Sequence, residues 1–360
     1  MRTLVLNAGS SSLKLSLLDD GTTVRTDTVD PGDDDALAGF ADGDPPDAVG
    51  HRIVHGGDEF TGPVAVDDEV VRRIDALRGL APQHQGPALD VLRRARELVP
   101  EVPHVACFDT AFHRTIPDAA ATYAVPARWR EEFGIRRYGF HGMAHEWSAR
   151  RTGELLGRDP ATLRVVNAHI GAGASLCAID RGLSVDTTMG FTPTSGLVMG
   201  SRSGDLDPAV PLWLAGHGLD PDDVAAALDR DSGLLALAGE SDPQKVQEAA
   251  DAGDARAATA LDVWGHRARA GLAAMAAATA GLDVLTFSGG VGEHQPWMRE
   301  RAVRGLGFLG LTLDPARNDD ARGGDAVLSP DGAAVRILAV TSREDVIIAE
   351  QVAAVAGRAG

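Results

Sequence analysis

The sequence predicts an α/β protein made of two similar lobes with a cleft between them. Its 360 residues are too many for one ordinary core and suit two domains. Both halves open in the same order: an apolar strand, a turn of glycine and small polar residues, an alternating strand, and an Asp-x-Gly turn at 19–21 or 180–182. We interpret this repeated order as an internal duplication at the level of the fold.

The first half predicts strands joined by tight turns, followed by helices. Residues 3–7, 12–18 and 22–29 alternate and are rich in β-branched side chains, which is typical of a meander of three strands. Apolar runs at 48–54 and 104–108 predict two further strands, and the patterns at 68–80 and 86–99 predict helices.

The second half repeats this arrangement. Strands are predicted at 163–168, 175–180, 183–187, 284–288 and 335–340, and helices at 207–217, 222–228, 243–280 and from about 296. A final helix at 344–355 is expected to return to the first lobe. The predicted lobes are therefore 1–113 together with about 345–360, and 114–344, the second binding a nucleotide.

Composition restricts the class of partner. A formal charge of −18 repels phosphate backbones and anionic membranes, so we expect neither a nucleic acid nor a membrane as partner. No 18-residue apolar stretch and no signal-peptide core are present. Cys107 and Cys177 lie within apolar runs, which predicts two buried thiols and a cytoplasmic location. An anionic substrate would need local arginines, a lysine and a metal ion.

Glycine-rich turns provide candidate phosphate sites. The turn from Asn7 to Lys14 joins two strands and adds the donors Ser10 and Ser12 to its backbone N–H groups; an ordinary serine-capped hairpin is the alternative. The turn at 169–175 occupies the matching place in the second half. A third, at 288–293, follows a strand and precedes a helix, where phosphates or flat rings often bind; a plain connecting loop is the alternative.

Four polar residues stand out from their local contexts. Arg52 lies near the end of an apolar strand, and Asp109 directly follows one, at the edge where α/β sites collect their residues. His141 follows the pair Arg136-Arg137 within a few residues and has a glycine on each side of Phe140-His141. Arg202 has a serine on each side and a glycine beyond each serine. The alternatives are a solvated surface arginine at Arg52, a helix N-cap at Asp109, an ordinary core or surface histidine at His141 and a solvated surface loop around Arg202. Two arginines are what phosphoryl transfer needs to hold charge on the equatorial oxygens.

Taken together, these motifs resemble the acetate kinase family, which belongs with actin, hexokinase and the heat-shock ATPases. The resemblance rests on Asn-x-Gly-Ser-Ser-Ser-x-Lys at 7–14, Gly-His-Arg-Ile-Val-His-Gly-Gly at 50–57, Phe-Asp-Thr-Ala-Phe-His at 108–113, Arg-Arg-Tyr-Gly-Phe-His-Gly at 136–142 and Met-Gly-Phe-Thr-Pro at 189–193. It runs along nearly the whole chain. It implies two duplicated ribonuclease-H-like (actin-like ATPase) lobes with an interlobe active-site cleft, and a homodimer.

The resemblance also implies a reaction. A kinase of this family moves a phosphoryl group reversibly between ATP and acetate, or a similar short-chain carboxylate, giving acetyl phosphate and ADP by direct in-line transfer with Mg²⁺ or Mn²⁺. One alternative is a kinase for propionate, butyrate or a hydroxylated short acid. Another is an ATP-dependent switch without carboxylate turnover, against which both arginines and His141 argue.

Residue roles follow from the resemblance position by position. The catalytic residues would be Arg52, Asp109, His141 and Arg202; Asn7 and Glu344 would hold the metal, directly or through water. The acid would be bound by Arg52, Val54, His84, Phe140 and Pro193. The nucleotide and its phosphates would be bound by Ser10, Ser12, Lys14, His169, Ile170, Gly171, Ala172, Gly173, Asp242, Pro243, Gln244, Gly289, Gly290, Val291, Gly292 and Glu293.

Several positions depart from the family pattern. Gln83 replaces an apolar residue of the acid pocket, and Gly86 is inserted close by, so the hydroxylated-acid alternative stays open. Ala172 stands where asparagine is usual, and Pro243 and Gln244 replace Phe-Arg on the adenine side, which favours a looser nucleotide preference. The chain is also shorter than usual between about 30 and 48.

Overall fold

The computed structural model describes residues 1–9, 12–43 and 45–357, the side chains of 41–43 and 82–84 excepted. The chain divides into two compact units. Unit 1 comprises Met1–Arg114, Tyr123–Trp147 and Arg343–Gly360, and unit 2 comprises Thr115–Thr122 and Ser148–Ser342. Tyr123–Trp147 thus cluster with unit 1, whereas the sequence had assigned them to the second lobe. The roles given to the two lobes stay predictions.

Unit 1 contains a six-stranded mixed sheet of order β3-β2-β1-β4-β6-β5. Its strands are β1 (Arg2–Ala8), β2 (Leu13–Asp19), β3 (Thr22–Val29), β4 (Ala48–Ile53), β5 (Val64–Ala65) and β6 (His104–Phe108). The first three form the predicted antiparallel meander, β4 and β6 add in parallel, and β5 adds antiparallel at the edge. The register pairs Asn7 with Lys14, so the ends of the first glycine turn face each other.

Unit 2 repeats this sheet with every strand six places later in the chain, in the order β9-β8-β7-β10-β12-β11. Its strands are β7 (Arg164–Ile170), β8 (Ala174–Asp180), β9 (Leu183–Thr187), β10 (Val284–Ser288), β11 (Ala326–Val327) and β12 (Arg336–Ala339). The parallel and antiparallel pairings match those of unit 1 strand for strand. The predicted duplication is therefore confirmed.

The helices of the described chain connect these strands. They are α1 (Asp34–Gly43), α2 (Asp68–Ala76), α3 (Pro82–Leu98), α4 (Asp118–Ala121), α5 (Ala127–Phe133), α6 (Gly142–Leu156), α7 (Ala209–Gly216), α8 (Pro221–Arg230), α9 (Gly233–Ala238), α10 (Pro243–Asp251), α11 (Ala255–Ala278), α12 (Gly289–His294), α13 (Pro296–Val303), α14 (Pro315–Asp320) and α15 (Glu344–Ala356). Short 3-10 turns occur at Arg78–Leu80, Ala111–Thr115, Pro160–Thr162 and Gly307–Leu309.

The sheet of unit 1 is covered on both faces. Side chains of α1, α2 and α3 form one core with β1, β2 and β6, and α15 forms a second core with the opposite face. The last helix, α15, therefore lies in unit 1. Gly50 permits its close approach, because a Cβ there would lie 2.6 Å from Ile348 Cγ2 and 2.8 Å from Val352 Cγ2.

Two helix predictions need correction, and several helices were not predicted. The single helix expected at 243–280 is two helices, because Gly253 adopts φ +95° and Asp254 then caps α11 by accepting from the N–H groups of Arg256 and Ala257. Helix α3 begins at Pro82 rather than 86, with proline at its first turn. The helices that were not predicted are α1, α4, α5, α6, α9, α12 and α14. No helix in the described ranges is both long and apolar enough to cross a membrane.

Candidate functional site

Arg52 and Asp109 form the centre of a polar cluster at the ends of β4 and β6 in unit 1. The Arg52 Nε lies 3.0 and 3.1 Å from the two carboxylate oxygens of Asp109, and its Nη2 lies 2.5 Å from Oδ2. Arg52 Nη1 donates to Asn7 Oδ1 at 3.0 Å and lies 4.0 Å from Glu344 Oε2. Asn7 Nδ2 in turn donates to Glu344 Oε2 at 2.8 Å. Four residues that the sequence selected separately are therefore in one network.

Burial and charge act against each other within this cluster. Desolvation raises the pKa of the Asp109 carboxyl, whose side chain is 1% exposed, and the Arg52 guanidinium counters part of that rise. Burial acts to lower the pKa of Arg52, but the carboxylates of Asp109 and Glu344 outweigh it, so the pKa is raised. Arg52 is therefore a permanent cation with a fixed orientation.

His141 reaches this cluster through its backbone. Its N–H donates to the Asp109 carboxylate, and the N–H of Gly142 donates to the Asp109 carbonyl oxygen at 2.9 Å. His141 has φ +57°, a conformation that is uncommon for a residue with a side chain and is often found where function requires it. A Cβ on Gly142 would overlap the Asp109 carbonyl oxygen and lie 2.9 Å from Phe112 Cβ. Only glycine allows this approach.

The predicted acid pocket is partly described. Val54 and Phe140 are buried in unit 1, and the ring of Phe140 meets that of His55 edge-on with centroids 5.4 Å apart. Gln85 is completely buried and pairs with the backbone of His55, donating from Nε2 to its carbonyl at 2.9 Å and accepting from its N–H at 3.1 Å. The side chains of His84 and Gln83 lie outside the described part of the structure, so their roles stay predictions.

The first glycine turn is described in part. Ser10 lies outside the described residues. The N–H of Gly9 donates to the Ser12 carbonyl at 2.8 Å, which closes the turn, and Lys14 is exposed on β2 opposite Asn7. The positive charge predicted for a phosphate is thus present at this turn.

Arg202 belongs to unit 2, where it is held by a partner that the sequence did not single out. Its Nε lies 3.2 Å from Asp229 Oδ1, and its Nη1 lies 3.4 Å from the Pro193 carbonyl oxygen. Burial lowers the pKa of Arg202, and Asp229 counters this. Arg202 and Pro193, two predicted site residues, are therefore neighbours.

A buried hydrogen-bond network fixes the second glycine turn. His169 Nδ1 lies 3.1 Å from the Ser288 hydroxyl, which also bonds to Asn167 at 3.3 Å. Thr286 donates to Asn167 Oδ1 at 2.7 Å. A Cβ on Gly289 would lie 2.7 Å from the Ile170 carbonyl oxygen, so the predicted turns at 169–173 and 289–293 pack directly together.

The remaining predicted nucleotide segment packs against the same region of unit 2. A Cβ on Gly200 would lie 2.9 Å from the Ser241 carbonyl oxygen and 3.8 Å from that of Ala172. The loop of Arg202 therefore contacts the Gly171–Gly173 turn and the segment before Pro243. The Asp242 carboxylate caps α10 by accepting from the Gln244 N–H at 2.9 Å, a structural task that the sequence did not assign to it.

The predicted turn at 289–293 is itself a helix, α12. Gly290, Val291 and Gly292 are helical, and the Glu293 carboxylate accepts from the N–H groups of Gly289 and Ser342. Arg299 is completely buried below this helix and donates to the carbonyl oxygens of Gly292 and Glu293, both at 2.8 Å. It also donates to Asn318 Oδ1 at 2.8 Å and to the carbonyl oxygens of Asn318 and Ala321.

Sequence reasoning missed Gln85, Asn167, Asp229 and Arg299. Each forms hydrogen bonds or an ion pair with a residue or segment of a motif identified from the sequence. Each is also a polar residue within an otherwise apolar or helical pattern. That contrast is a signal for Asn167, in the middle of an apolar strand, and for Arg299. Nothing local distinguishes Asp229 from the other acidic residues of α8.

Asn7 and Glu344 are the residues of this cluster that could hold a magnesium ion. Asn7 Nδ2 donates to Glu344 Oε2 and Asn7 Oδ1 accepts from Arg52, so the carboxylate of Glu344 is the main candidate ligand, and Mg²⁺ commonly takes only one or two carboxylates from the protein. Among residues 1–9, 12–43 and 45–357, no group of three or more His, Cys, Asp and Glu is arranged to hold a metal. Both cysteines are free, buried thiols, as predicted, and burial raises the pKa of Cys177 to about 12.

The duplicated sheets and their arginine sites define a class of protein, a phosphotransferase of the two-lobed α/β type. The chain belongs to the acetokinase family, whose family model, described as "Acetokinase family", matches residues 42–350. Acetate kinase from Leifsonia xyli subsp. xyli is 49% identical over 308 residues, which cover 85% of this chain and 78% of that protein. Acetate kinase from Bacillus subtilis is 42% identical over 308 residues, with 85% and 78% coverage.

Solved structures agree with this membership. Porphyromonas gingivalis acetate kinase superposes with a TM-score of 0.88 at 33% identity, covering 98% of this chain and 99% of that one. A propionate kinase from Francisella tularensis subsp. tularensis superposes with a TM-score of 0.91 at 29% identity and the same coverage. The predicted family and fold class are therefore confirmed.

Proposed function

We propose that this chain is a kinase that transfers the γ-phosphoryl group of ATP to acetate and, in reverse, makes ATP from acetyl phosphate and ADP. Relatives named acetate kinase at 41–49% identity support acetate as the acid. The observation that carries the proposal in this chain is the Arg52–Asp109 pair, linked to the backbone of His141 and to Asn7 and Glu344. A planar guanidinium fork suits both a carboxylate and a phosphoryl group.

The chemistry we infer is direct in-line transfer. Arg52 binds the acid's carboxylate, and Arg202, from the second arginine site, binds the phosphoryl oxygens whose charge must be held as the group passes from oxygen to oxygen. Asp109 keeps the Arg52 fork in one orientation and orients the nucleophile. The imidazole of His141, whose backbone is bonded to the same carboxylate, donates to the transferring group.

The nucleotide is assigned to the packed turns of unit 2. Gly290 has open space where a side chain would be and Gly171 has only an ordinary contact there, so phosphates or the flat nucleoside can approach the backbone of these two segments, 169–173 and 289–293. Lys14 adds charge for the phosphates. When bound, Mg²⁺ or Mn²⁺ neutralises charge on the transferring phosphates, and Asn7 and Glu344 are the residues that would hold it, directly or through water.

Substrate size follows from the apolar residues Val54, Phe140 and Pro193. They suit a methyl group, and one extra buried methylene changes discrimination by only about 1–3 kcal/mol, so propionate is the second candidate. The propionate kinase among the solved structures favours testing it. A hydroxylated acid stays a hypothesis that depends on Gln83.

A coupled assay with acetyl phosphate and ADP tests the proposal. We expect turnover in the unaltered protein and its loss in Arg52→Ala and Arg202→Ala, with Arg128→Ala, an exposed arginine of α5, as the matched control. Turnover that survives both site changes would contradict the proposal. A panel of acids of two to five carbons decides the substrate, and calorimetry that detects ATP but no short acid would favour the switch alternative.

We also propose a homodimer and a cytoplasmic location. Helix α7 exposes Leu212 and Trp213, which are 75% and 61% accessible, beside exposed Val210 and Leu219, and such apolar patches usually mark interfaces. Light scattering is expected to give a dimer mass for the unaltered protein and a monomer for Leu212→Lys, whereas Val24→Lys in unit 1 stays dimeric. The cytoplasmic location depends on the two free thiols.

A further inference from the structure

A cavity of about 100 Å³ lies within unit 1, and every residue that lines it belongs to that unit. None of the residues proposed for acetate, ATP or metal binding lines it. Its wall nevertheless contains three arginines, Arg114, Arg136 and Arg137. A cavity of this size accommodates several waters or one small tetrahedral ion.

The charge of the wall differs in sign from that of the whole protein. The lining contains three arginines and one carboxylate, that of Asp58, so it carries a formal charge of +2 in a chain of −18. The buried ring of His113 adds no charge, because burial lowers its pKa to about 4. A local excess of cations in an acidic protein favours an anionic ligand.

Two of the arginines lie against aromatic rings. The guanidinium carbon of Arg136 lies 6.0 Å from the centre of the Tyr138 ring, and that of Arg137 lies 5.8 Å from the Tyr123 ring. Arg136 Nη1 lies 3.5 Å from Asp58 Oδ1, an exposed pair that is weak and leaves most of the guanidinium donors available.

Two further groups complete a donor set for an oxyanion. Thr110 Oγ1 accepts from the Gly56 N–H at 3.1 Å, so its own hydroxyl hydrogen is available for a ligand. Arg114 is exposed and forms no ion pair with any residue in the described part of the chain. The fork of an arginine binds two phosphate oxygens at once.

We propose that this cavity binds a small phosphate-class oxyanion, at a site separate from the acetate and ATP sites. Guanidinium groups from two parts of the chain supply the charge, Arg114 from the segment after β6 and Arg136 and Arg137 from the segment before α6. The Thr110 hydroxyl supplies a neutral donor. A dianion such as hydrogen phosphate matches the formal charge of the lining.

Isothermal titration of the full chain with inorganic phosphate, at constant ionic strength, tests this site. We expect binding that is weakened several-fold in Arg114→Gln and at least tenfold in Arg114→Gln/Arg136→Gln. Arg128→Gln, which removes the same charge outside the lining, is expected to bind as the unaltered protein does. Because Arg114 is exposed and unpaired among the described residues, Arg114→Gln alone should fold normally.

Phosphate binding at the proposed catalytic site must be distinguished from binding here. In Arg52→Gln the phosphate titration is expected to persist, and it is expected to disappear when Arg114→Gln/Arg136→Gln is added. Loss of all binding in Arg52→Gln, or unchanged binding in the double cavity variant, would overturn the assignment. Glycerol phosphate as a second probe tells a free phosphate from an esterified one, and binding of either supports the site.

Discussion

The Arg52 guanidinium bonds to both carboxylate oxygens of Asp109, through Nε at 3.0 and 3.1 Å and through Nη2 at 2.5 Å. The two residues are at the ends of parallel neighbouring strands, and the register pairs Arg52 with Cys107, two residues before Asp109. This strand pairing places Asp109, directly after β6, in contact with Arg52, which lies 57 residues earlier in the chain. The pair links the stability of unit 1 to its proposed catalysis.

Breaking this pair is expected to cost stability as well as activity. Asp109→Asn leaves the half-buried Arg52 cation without its carboxylate, and we expect unfolding free energy to fall by about 3 kcal/mol, the lower end for a broken buried pair, since an amide oxygen still accepts. Urea unfolding measures this. Asp68→Asn, which breaks the exposed pair with Arg96, should cost less than about 1 kcal/mol; equal losses would contradict the prediction.

Gly142 should tolerate no side chain. Gly142→Ala places a Cβ against the Asp109 carbonyl oxygen and 2.9 Å from Phe112 Cβ, so the backbone that carries His141 must move. We expect kcat to fall about 100-fold, because displacements near 1 Å have effects of that size. Gly39→Ala, at a helical position with no neighbour within 4 Å, is the control and should leave kcat unchanged. Comparable kinetics for the two variants would refute the argument.

Arg299 is expected to position the nucleotide segment through α12. Arg299→Lys keeps the charge but cannot reach five carbonyl and amide oxygens, so buried acceptors lose their donors at a cost of about 1–3 kcal/mol. We expect KM for ATP to rise about tenfold, or 1.4 kcal/mol of binding, while KM for acetate changes little. Steady-state kinetics with Arg304→Lys, an exposed arginine, as control decide this. A uniform change in both KM values would indicate a general structural defect instead.

His51 and His104 should make the protein sensitive to acid. Burial and the neighbouring His104 lower the pKa of His51 well below 6.5, and burial lowers that of His104, whose Nε2 hydrogen bond to Val99 acts in the opposite direction. Because the unfolded chain takes up these protons first, stability should fall as pH drops below about 6.5, with a limiting slope of about 1.4 kcal/mol per pH unit for each histidine.

Denaturant midpoints between pH 8 and 5 measure this slope. His51→Phe removes one buried titrating ring and should flatten the profile, although it also removes the 2.9 Å contact with His104 Nδ1 and lowers stability at pH 8. His217→Gln, at an exposed position, is the matched control. A slope that does not change in His51→Phe would contradict the assignment.

Much of the fold follows from local pattern. The strands that alternate or form apolar runs were predicted within a few residues. Their signal, an alternation of apolar and polar residues or a short apolar run, is a local property of the sequence. Helix α6 was missed because its composition is mixed, and the break between α10 and α11 was missed because one glycine at φ +95° decides it. Helical patterns reveal which segments are helical more readily than where they end.

The sequence by itself determined the family and the duplicated strand order, because motifs and strand periods are local features of the chain. Through the resemblance to that family it also selected Asn7, Arg52, Asp109, His141 and Glu344, which the structure brings into one polar cluster. Tertiary structure alone decided their partners. Asn7 and Glu344 are 337 positions apart, and the bond between them depends on α15 packing onto the first sheet. Tertiary structure likewise decided the ion pair between Asp229 and Arg202 and the hydrogen bond from Gln85 to the His55 carbonyl oxygen. The physical reason is that the packing around a buried side chain sets its direction, and its neighbours in the chain do not.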